Sequence, residues 1–594
     1  MARLFTASRA DEMAGFPVAH DDEMLMGVRS LILDLRGLSM NAKDRQIRRV
    51  RGLRACGTML AALTVGMAHG LVPARAAADP LVARVEGGLV RGRIQRGVIA
   101  FKGIPYAAPP VGALRWAPPQ PVRAWNGVRP AFAYGSDCMQ VPFPGDAAPE
   151  RTVPKENCLY LNVWRPRGVS AHNLPVMVWI YGGGFVNGGT SPAVYNGTAF
   201  ARDGVVLVSF NYRLGNFGFF AFPGLARQDR GQMLGDYAFM DQLAALRWVR
   251  HNIRAFGGDP HNVTVFGESA GGMSVNNLLM SPLAKGLFQR AIIESGGGRP
   301  LFAERPLAGS PSSAEAMGVR LARHFGIEGV GLRALAHLRA LPASRLVEGL
   351  NMGTMMAAEK NGYVGGPIRF DSLYQGEPTQ VYAEHPELGN HVPVMIGANS
   401  GDLSILQAKS LRALFAMFGP KAAQARAAFD ASGRLTLQQA AWRVGGALTM
   451  IEPARAVARD LSSRGQPVYE YRFSYVATSI RHTPVGKLGA MHASEIPYVF
   501  DTVRARYGDQ TSAQDERVAR QMHAYWVAFA RTGKPDPKGL PPWPRYRTRT
   551  DRLMNFTDGG PVPEADPWRT RLNLAEWYSE RRETARSSHT PAAH

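Results

Sequence analysis

The segment GESAG at residues 267–271 places Ser269 between Gly267 and Gly271 in a G-x-S-x-G pattern. It follows the apolar run at 263–266 and precedes a stretch with helical character. A serine on such a tight strand-to-helix turn needs glycines two positions away on each side, because a Cβ there would clash with neighbouring chains. The turn exposes a hydroxyl above a sheet, which predicts a nucleophile. The motif alone leaves open a glycine-rich loop with an inert serine.

A second glycine cluster, YGGGF at residues 181–185, lies upstream of Ser269 and ends the apolar run at 174–181. Residues without side chains allow backbone N–H groups to point at an oxyanion that develops during acyl transfer. Losing one such donor typically costs about 10²–10³ in rate. A phosphate-binding loop is disfavoured, because no Lys-Ser/Thr pair follows and no G-x-G-x-x-G entry to a helix is present.

The elements that must position these groups are strands alternating with helices. Asp241 to Ile253 carries apolar residues at helical spacing. This alternation predicts an α/β fold with a large, mostly parallel central sheet and helices on both faces. Residues 80–165 predict short β segments, whereas 302–390 and 410–465 are helical and suit cap insertions. Continuous apolar runs predict buried strands at 174–181, 204–210, 263–266, 291–295 and 392–397.

The N-terminal region has the order of a secretory signal within residues 40–78: a basic cluster, an apolar stretch and small residues. We predict a signal peptide there, an overcalled start at 1–39, and cleavage between Ala76 and Asp79 that exports the chain to the periplasm or medium. A transmembrane anchor is the alternative, but the apolar stretch, interrupted by His69, is short for the roughly 20 residues of a span. No later segment is apolar for long enough, so we predict no stable span in the mature chain.

Export to an oxidising compartment favours a bond between Cys138 and Cys158. By the loop-entropy model it would contribute about 3 kcal/mol. Two buried thiols are the alternative. No Ser/Gly-rich linker divides the chain, so we predict one domain at 79–565 followed by a C-terminal tail at 566–594.

Several long segments besides the two glycine motifs resemble the type B carboxylesterase and cholinesterase family of α/β-hydrolases. The resemblance covers roughly residues 80–560 and implies the α/β-hydrolase fold. The segments are FKGIPYAAPPVGALRW (101–116), ENCLYLNVW (156–164), WIYGGGFVNG (179–188), VSFNYRLGNFGFF (208–220), DQLAALRWVRHNIRAFGGDPHNVTVFGESAGG (241–272), FQRAIIESG (288–296), HASEIPYVF (492–500) and WPRYR (543–547).

The resemblance implies that Ser269 is the nucleophile and that the backbone N–H groups of Gly183, Gly184 and Ala270 form the oxyanion hole. It implies that His492, in the G-x-x-H-x-x-E-I segment at 489–496, is the general base. His482 and His523 also lie downstream of the serine and are the fallback bases.

The acid is where the sequence departs from the family pattern. The family usually has a glutamate in a G-x-N-x-D-E-G turn, whereas residues 397–403 read GANSGDL and place Asp402 at the acid position. An aspartate can hold the imidazole tautomer and stabilise the imidazolium in the same way. Because it is one methylene shorter, its backbone must lie closer to His492. Asp371 is the runner-up.

The resemblance also implies supporting residues. Glu268, Ser295 and Glu495 correspond to polar groups around the catalytic histidine, with structural hydrogen bonding as an equally weighted alternative. Cys138 and Cys158 correspond to the family's first disulfide. The pair Arg115 and Glu156 corresponds to a structural salt bridge beside the disulfide loop.

These implications predict a serine hydrolase that cleaves small-molecule carboxylic esters through an acyl-enzyme, without a metal or organic cofactor. The disulfide loop at 139–157 contains no tryptophan, so the cation–π platform for a quaternary ammonium is missing and choline esters are disfavoured. Phe302 is a candidate for the acyl pocket. The sequence does not specify the acyl or alcohol group or the oligomeric state.

Two other classes of function are weaker alternatives. A non-catalytic binding or adhesion member of the fold would lack the nucleophile or the histidine, and both are present. A nucleic-acid partner is suggested by the net charge of +22, but the basic residues are scattered and no basic-aromatic module is present. Residues 1–78 hold 11 basic and 7 acidic residues, a difference of +4, which leaves +18 on the mature chain. We therefore expect a basic exported hydrolase that does not bind nucleic acid.

Overall fold

The computed structural model describes residues 79–587 except 169–171, 229–232, 302–304, 370–372 and 386. The predicted signal peptide, the overcalled start, Phe302 and Asp371 therefore lie outside the described residues. Among the helices of the described part, none is long and apolar enough to cross a bilayer.

Strands are numbered here in chain order. They are β1 (Val82–Val85), β2 (Gly88–Arg91), β3 (Arg93–Gln95), β4 (Val98–Pro105), β5 (Val128–Pro130), β6 (Tyr160–Pro166), β7 (Leu174–Ile180), β8 (Val206–Phe210), β9 (Phe219–Phe220), β10 (Gly235–Asp236), β11 (Gly258–Glu268), β12 (Arg290–Glu294), β13 (Arg305–Pro306), β14 (Ile368–Arg369), β15 (Val394–Asn399), β16 (Val468–Phe473), β17 (Arg552–Thr557) and β18 (Gly560–Ala565).

Eleven strands of the described residues form one large sheet in the order β18-β17-β16-β15-β12-β11-β7-β8-β6-β4-β3. The seven from β17 to β8 are mutually parallel. Antiparallel strands complete both edges, with β18 at one and β6, β4 and β3 at the other. The predicted large, mostly parallel sheet is confirmed. The carboxyl ends of its parallel strands meet at one edge, where ligands bind in open α/β sheets.

The central strands are buried on both faces, as their apolar sequences predict. Every residue of β8 and β15 is buried, and β7 and β12 each have one half-buried end residue. The predicted strand at 263–266 is longer than expected, because Gly258 already pairs with Leu174 and an irregularity between Gly258 and Val263 restores the register. The sequence of this extension, GDPHN, is typical of a turn and therefore does not predict a strand.

Helices surround this sheet. They are α1 (Thr198–Arg202), α2 (Gly215–Gly218), α3 (Pro223–Gln228), α4 (Tyr237–Asn252), α5 (Ala270–Met280), α6 (Ala314–His324), α7 (Leu332–Ala340), α8 (Ala343–Leu346), α9 (Met355–Ala358), α10 (Pro378–Glu384), α11 (Leu411–Ala416), α12 (Ala422–Phe429), α13 (Leu437–Gly446), α14 (Glu452–Ser463), α15 (Ile496–Val499), α16 (Val503–Tyr507), α17 (Ala513–Thr532) and α18 (Arg569–Ser587).

The predicted helical character of 410–465 is confirmed by α11 to α14. The first three of these helices and residues 447–451 contribute to a second hydrophobic cluster, whereas the buried residues of α14 belong to the main core. Helix α18 lies in the segment that the sequence separates as a tail. Its Leu572 and Ala575 are fully buried in the second cluster. This C-terminal helix is therefore packed against the cap-like helices.

Candidate active site

Ser269 lies on the turn between β11 and α5, at the carboxyl edge of the sheet. Its backbone has φ 56° and ψ −123°, a left-handed conformation that costs free energy for a residue with a side chain. A Cβ on Gly267 would lie 2.6 Å from the carbonyl oxygen of Ile180, and one on Gly271 would overlap the same oxygen. The two glycines therefore allow the close approach of β7 that the G-x-S-x-G pattern predicts.

Three side chains that are far apart in the sequence meet at this edge. The Oγ atom of Ser269 lies 2.9 Å from Nε2 of His492, and Nδ1 of the same imidazole lies 2.6 Å from Oδ1 of Asp402. Ser269 follows β11 and Asp402 follows β15, whereas His492 comes from the loop between β16 and α15. The structure thus brings together the three residues that the sequence assigns as nucleophile, acid and base.

The fallback bases lie elsewhere. His523 is buried on α17, where Nδ1 lies 2.7 Å from the carbonyl oxygen of Val499 and Nε2 lies 3.3 Å from a carboxylate oxygen of Asp203. His482 is exposed on a turn. In the described part of the chain, Ser269 Oγ has His492 as its imidazole partner.

The Asp402 carboxylate is fully buried and well supplied with donors. Its Oδ2 accepts hydrogen bonds from Ser295 Oγ (2.7 Å) and from the backbone N–H of Asn399 (2.8 Å), and its Oδ1 accepts one from the N–H of Leu403 (2.7 Å). Burial opposes its ionisation, but His492 and these donors outweigh that effect and hold the pKa of Asp402 below its usual value. The carboxylate is therefore built to stay charged beside His492.

The loops that carry Asp402 and His492 are tied to each other. The N–H of Gly401 donates to the carbonyl of Ala490 over 2.8 Å, and Nδ2 of Asn399 donates to the carbonyl of Met491 over 2.7 Å. Asn399 Nδ2 also donates to Glu495. These bonds hold the backbone of the Asp402 turn beside the loop that carries His492. The sequence assigned no role to Asn399.

Helix α13 and the helical turn that follows it at Ala447–Ile451 hold the acid loop from the other side. The indole Nε1 of Trp442 donates to the carbonyl of Gly401 over 2.9 Å, and the hydroxyl of Thr449 donates to the carbonyl of Leu403. The cap-like helices therefore fix the position of the Asp402 turn as well as covering it. Neither residue carries a recognisable sequence signal, because any Trp or Thr on a helix would look the same.

Two further carboxyl groups surround the imidazole. Oε1 of Glu268 lies 3.3 Å from Nε2 of His492, and both Glu268 and Glu495 are buried. Burial raises the pKa of Glu268 well above its usual value, with Glu495 and Asp402 adding to the rise and His492 opposing it. Burial raises the pKa of Glu495 to about 7, against the opposing effect of its hydrogen bond from Asn399.

Electrostatics around His492 favour its protonated form. Burial by itself disfavours an imidazolium, but the Glu268 and Asp402 carboxyl groups outweigh burial and raise the pKa of His492 above its usual value. Such an environment stabilises positive charge on the ring. This is the charge that a general base acquires when it takes a proton from Ser269.

The glycine loop lies directly against the serine. A Cβ on Gly182 would lie 2.9 Å from the Cβ of Ser269. Among the described residues, no acceptor takes the backbone N–H of Gly183, Gly184 or Ala270. Three donors at the loop and at the start of α5 are thus left for a further acceptor. Buried Gln140 stabilises the end of the loop through the N–H of Gly188, which donates to Gln140 Oε1 over 2.9 Å.

The predicted structural pairs also form. Cys138 and Cys158 are joined in a disulfide. Arg115 and Glu156 make a bidentate ion pair, with nitrogen–oxygen distances of 2.6 and 2.7 Å, and Arg115 additionally donates to the carbonyl of Leu341. This guanidinium ties the disulfide loop to the segment after α7.

The chain is similar to known proteins over most of its length. The model of the carboxylesterase family matches residues 79–566. The fumonisin B1 esterase of Sphingopyxis macrogoltabida is 34% identical over 498 residues, which cover 80% of this chain and 87% of that protein. The para-nitrobenzyl esterase of Bacillus subtilis (strain 168) is 34% identical over 508 residues, 82% of this chain and 96% of that protein.

The fold has a similar solved counterpart. A PNB esterase structure superposes with a TM-score of 0.67 and 31% sequence identity, covering 84% of this chain and 100% of that one. The predicted α/β-hydrolase fold is confirmed by this similarity.

Proposed function

The chain belongs to the carboxylesterase family and is a carboxylic ester hydrolase, and from this premise we propose that Ser269, His492 and Asp402 cleave esters by acyl transfer. The observation that supports the assignment most strongly is the continuous contact from Ser269 Oγ through the imidazole of His492 to Asp402. Its order is that of a nucleophile, a base and the acid that orients the base.

In the first step, Ser269 Oγ attacks the ester carbonyl carbon while Nε2 of His492 takes the hydroxyl proton. The negative charge moves to the former carbonyl oxygen. The N–H groups of Gly183, Gly184 and Ala270, which have no acceptor within the described chain, are the donors that we assign to that oxygen. Asp402 stabilises the imidazolium through Nδ1.

Collapse of the tetrahedral intermediate breaks the bond to the alcohol oxygen, which receives the proton from His492. The product is an acyl group esterified to Ser269. Water then attacks this ester with the same proton transfers, releasing the carboxylic acid and regenerating the serine. Ser295 and Asn399 position the acid, and Glu268 favours the charged imidazole.

Replacing Ser269 with alanine tests the nucleophile. We expect Ser269→Ala to lower kcat/KM for p-nitrophenyl acetate by at least about 10⁴, leaving at most the contribution of the oxyanion hole and binding. The matched control is Ser462→Ala, which removes a half-buried hydroxyl on α14 that donates to the carbonyl of Tyr546. Retained turnover in Ser269→Ala would refute the assignment.

For the substrate, we propose a small-molecule carboxylic ester without a quaternary ammonium requirement, since the 139–157 loop has no tryptophan. The similar proteins named for fumonisin B1 and para-nitrobenzyl substrates suggest esters of differing size. A screen across acyl and alcohol groups of graded size, with a choline ester included, tests this. A marked preference for the choline ester would contradict it.

We further propose that the enzyme is exported after cleavage between Ala76 and Asp79. The Cys138–Cys158 disulfide is consistent with an oxidising compartment. N-terminal sequencing of the enzyme recovered outside the cytoplasm tests the proposal, and a mature chain that keeps residues before Ala76 would refute it.

A further inference from the structure

A basic cavity separate from the candidate active site opens beside the β3–β4 hairpin. Its volume is about 510 Å³, within the usual range for small-ligand sites. It is bordered by the hairpin, by the disulfide-loop residue Arg151, by α1 and by α16 and α17. None of the residues assigned to ester hydrolysis lines it. The charged residues around it are Arg96, Lys102, Arg151, Arg202, Arg504 and Arg520, with Asp501 and Glu516 as the carboxylates.

Lys102 is the buried member of this set. It lies on β4 and is only 6% exposed, and its ammonium is 4.2 Å from the centre of the Tyr134 ring and 5.7 Å from that of Trp164. Within the described residues, no carboxylate oxygen lies within ion-pair distance of it and no hydrogen-bond acceptor is assigned to it. Buried lysines are rare unless paired, so this ammonium lacks the partner that its location requires.

The carboxylates of the cavity do not neutralise its cations. Glu516 pairs with Arg504 over 2.6 Å and lies 3.8 Å from Arg520. Within the described chain, Asp501 lies in no ion pair shorter than 4 Å. Four cations, Arg96, Lys102, Arg151 and Arg202, therefore line one cavity, and none of them has an ion-pair partner among the residues that the structure describes.

This concentration of charge disturbs Lys102. Burial lowers the pKa of Lys102 to about 8, and the positive charges of Arg93, Arg151 and Arg96 add to that effect. Cations that repel one another around a concave surface raise the local concentration of anions. Nothing in the proposed ester chemistry uses this arrangement.

We propose that the cavity binds a compact small anion that carries several negative charges, such as an oligophosphate or a tricarboxylate. A monovalent anion would leave most of the four cations unpaired. The face of Tyr134 is occupied by the ammonium of Lys102, so nothing here favours a stacked nucleobase. Arg96 and Arg151 are exposed at the rim and can close around clustered charges, whereas Lys102 lies at the buried wall.

Calorimetric titration of the mature enzyme with pyrophosphate and with citrate, at low ionic strength and pH 7, tests the proposal. We expect saturable 1:1 binding of one or both, at least tenfold tighter than acetate, and weaker at 0.5 M NaCl because charge pairs are screened. Absence of saturable binding, or equal affinity for acetate, would overturn the proposal. Binding restricted to long sulfated or phosphorylated polymers would overturn it as well.

Variants then locate the site. Lys102→Met and Arg151→Gln should each weaken binding at least about tenfold, and Arg151→Gln, on an exposed side chain, remains informative if the buried variant folds poorly. Arg254→Gln is the matched control, because it removes an exposed positive charge that does not line the cavity. Unchanged affinity in Arg151→Gln, or an equal loss in Arg254→Gln, would contradict the assignment.

Proton uptake gives a readout that a nonspecific charge effect would not produce. The groups that act on the Lys102 ammonium are the guanidinium groups of Arg93, Arg96 and Arg151 and the rings of Tyr134 and Trp164. An anion bound beside them raises the pKa of Lys102, so binding at pH 8 should take up a fraction of a proton from buffer. Titration in two buffers of different ionisation enthalpy measures this, and Lys102→Met should abolish it.

Discussion

The candidate active site and the basic cavity each contain a buried basic group, but the charges around the two groups have opposite signs. At the active site, one basic ring, His492, is surrounded by the carboxyl groups of Asp402, Glu268 and Glu495. In the cavity, one buried ammonium, Lys102, packs against two aromatic rings, and the charges that lower its pKa are those of arginines. The pKa of the base is raised in the first region and lowered in the second.

The difference shows where each region finds its partners. Asp402 receives hydrogen bonds from Ser295 and from the backbone of its own turn in addition to its contact with His492, so the chain itself stabilises the charge. Lys102 has no such partner among the described residues and depends on its surroundings for compensation. The charges of the active site are balanced within the chain, so this region can position reacting groups. The positive charge of the cavity is not balanced, so this region favours a ligand of negative charge.

The largest expected effect comes from removing the charge that completes the active site. Asp402→Asn keeps the shape but deprives His492 of the carboxylate that orients its tautomer and stabilises its charge. We expect kcat/KM for p-nitrophenyl acetate to fall by about 10³–10⁴ with an unchanged circular dichroism spectrum. Asp402→Glu restores a carboxylate and should recover part of that loss. If Asp402→Asn hydrolysed the ester at nearly the normal rate, the acid would have to lie elsewhere.

Two glycine substitutions compare a position of the oxyanion loop that is closed by backbone with one that has only flexible side chains nearby. Gly183 has φ +105°, and a Cβ on it would overlap the carbonyl of Asn187. Gly183→Ala should therefore displace the loop and reduce kcat by about 10²–10³. At Gly184 the φ is +61° and the nearest neighbour is the flexible Met355 side chain at 3.3 Å.

Gly184→Ala is consequently the matched control, and its expected loss is smaller, about tenfold or less. Steady-state kinetics on the same ester measure both variants. Equal losses in the two variants, or a larger loss in Gly184→Ala, would mean that the backbone of Gly183 does not set the geometry of the loop.

The pH dependence tests the carboxyl groups around His492. Neutral His492 is the active base, so activity falls as pH drops through its pKa, which the surrounding carboxyl groups raise. Glu268→Gln removes one of these groups, and the acid limb of the kcat/KM profile should move to lower pH. Glu294→Gln is the control, because its Oε1 accepts from Trp526 rather than contacting His492. An acid limb that stays in place in Glu268→Gln would contradict this electrostatic role.

The sequence predicts one region much better than the other, for a physical reason. Ser269 and its flanking glycines are close in the sequence, so five consecutive residues are enough to indicate the tight turn. The buried strands that carry the site are similarly visible as apolar runs. The start of β11 cannot be predicted from the sequence, because the segment GDPHN is typical of a turn but is part of the strand, where the pairing register shifts.

Other features depend on residues that only the fold brings together. The partners of the Asn399 side chain, Met491 and Glu495, lie more than 90 positions later. Basic residues that look scattered between Arg96 and Arg520 converge on one cavity. Composition gives their number, but it contains no information on which of them share a surface.

The smallest effect on catalysis is expected from a substitution in the cavity. This substitution tests whether the cavity and the active site act independently. Lys102→Met should leave kcat/KM for p-nitrophenyl acetate within about twofold, since Lys102 contacts none of the residues assigned to ester hydrolysis. At pH 7 without added anion, the variant should be more stable, by about 1–2 °C in Tm at a fixed scan rate, because it removes a buried charge and its repulsion. Differential scanning calorimetry measures the change.

The sign of this stability difference depends on pH in a defined way. The pKa of Lys102 is lowered from 10.5 to about 8 in the folded chain, so the unfolded chain holds more protons between these values and the stability of the native enzyme rises with pH there. The advantage of Lys102→Met should therefore shrink as pH rises above about 8. Pyrophosphate, at a concentration well above its Kd for the unchanged enzyme, should reverse the order at pH 7, because it binds the enzyme that keeps Lys102 more tightly than the variant and so stabilises it more. If the difference in Tm between the two enzymes changed neither with pH nor with pyrophosphate, the charge of Lys102 would have to be balanced within the chain, as that of Asp402 is.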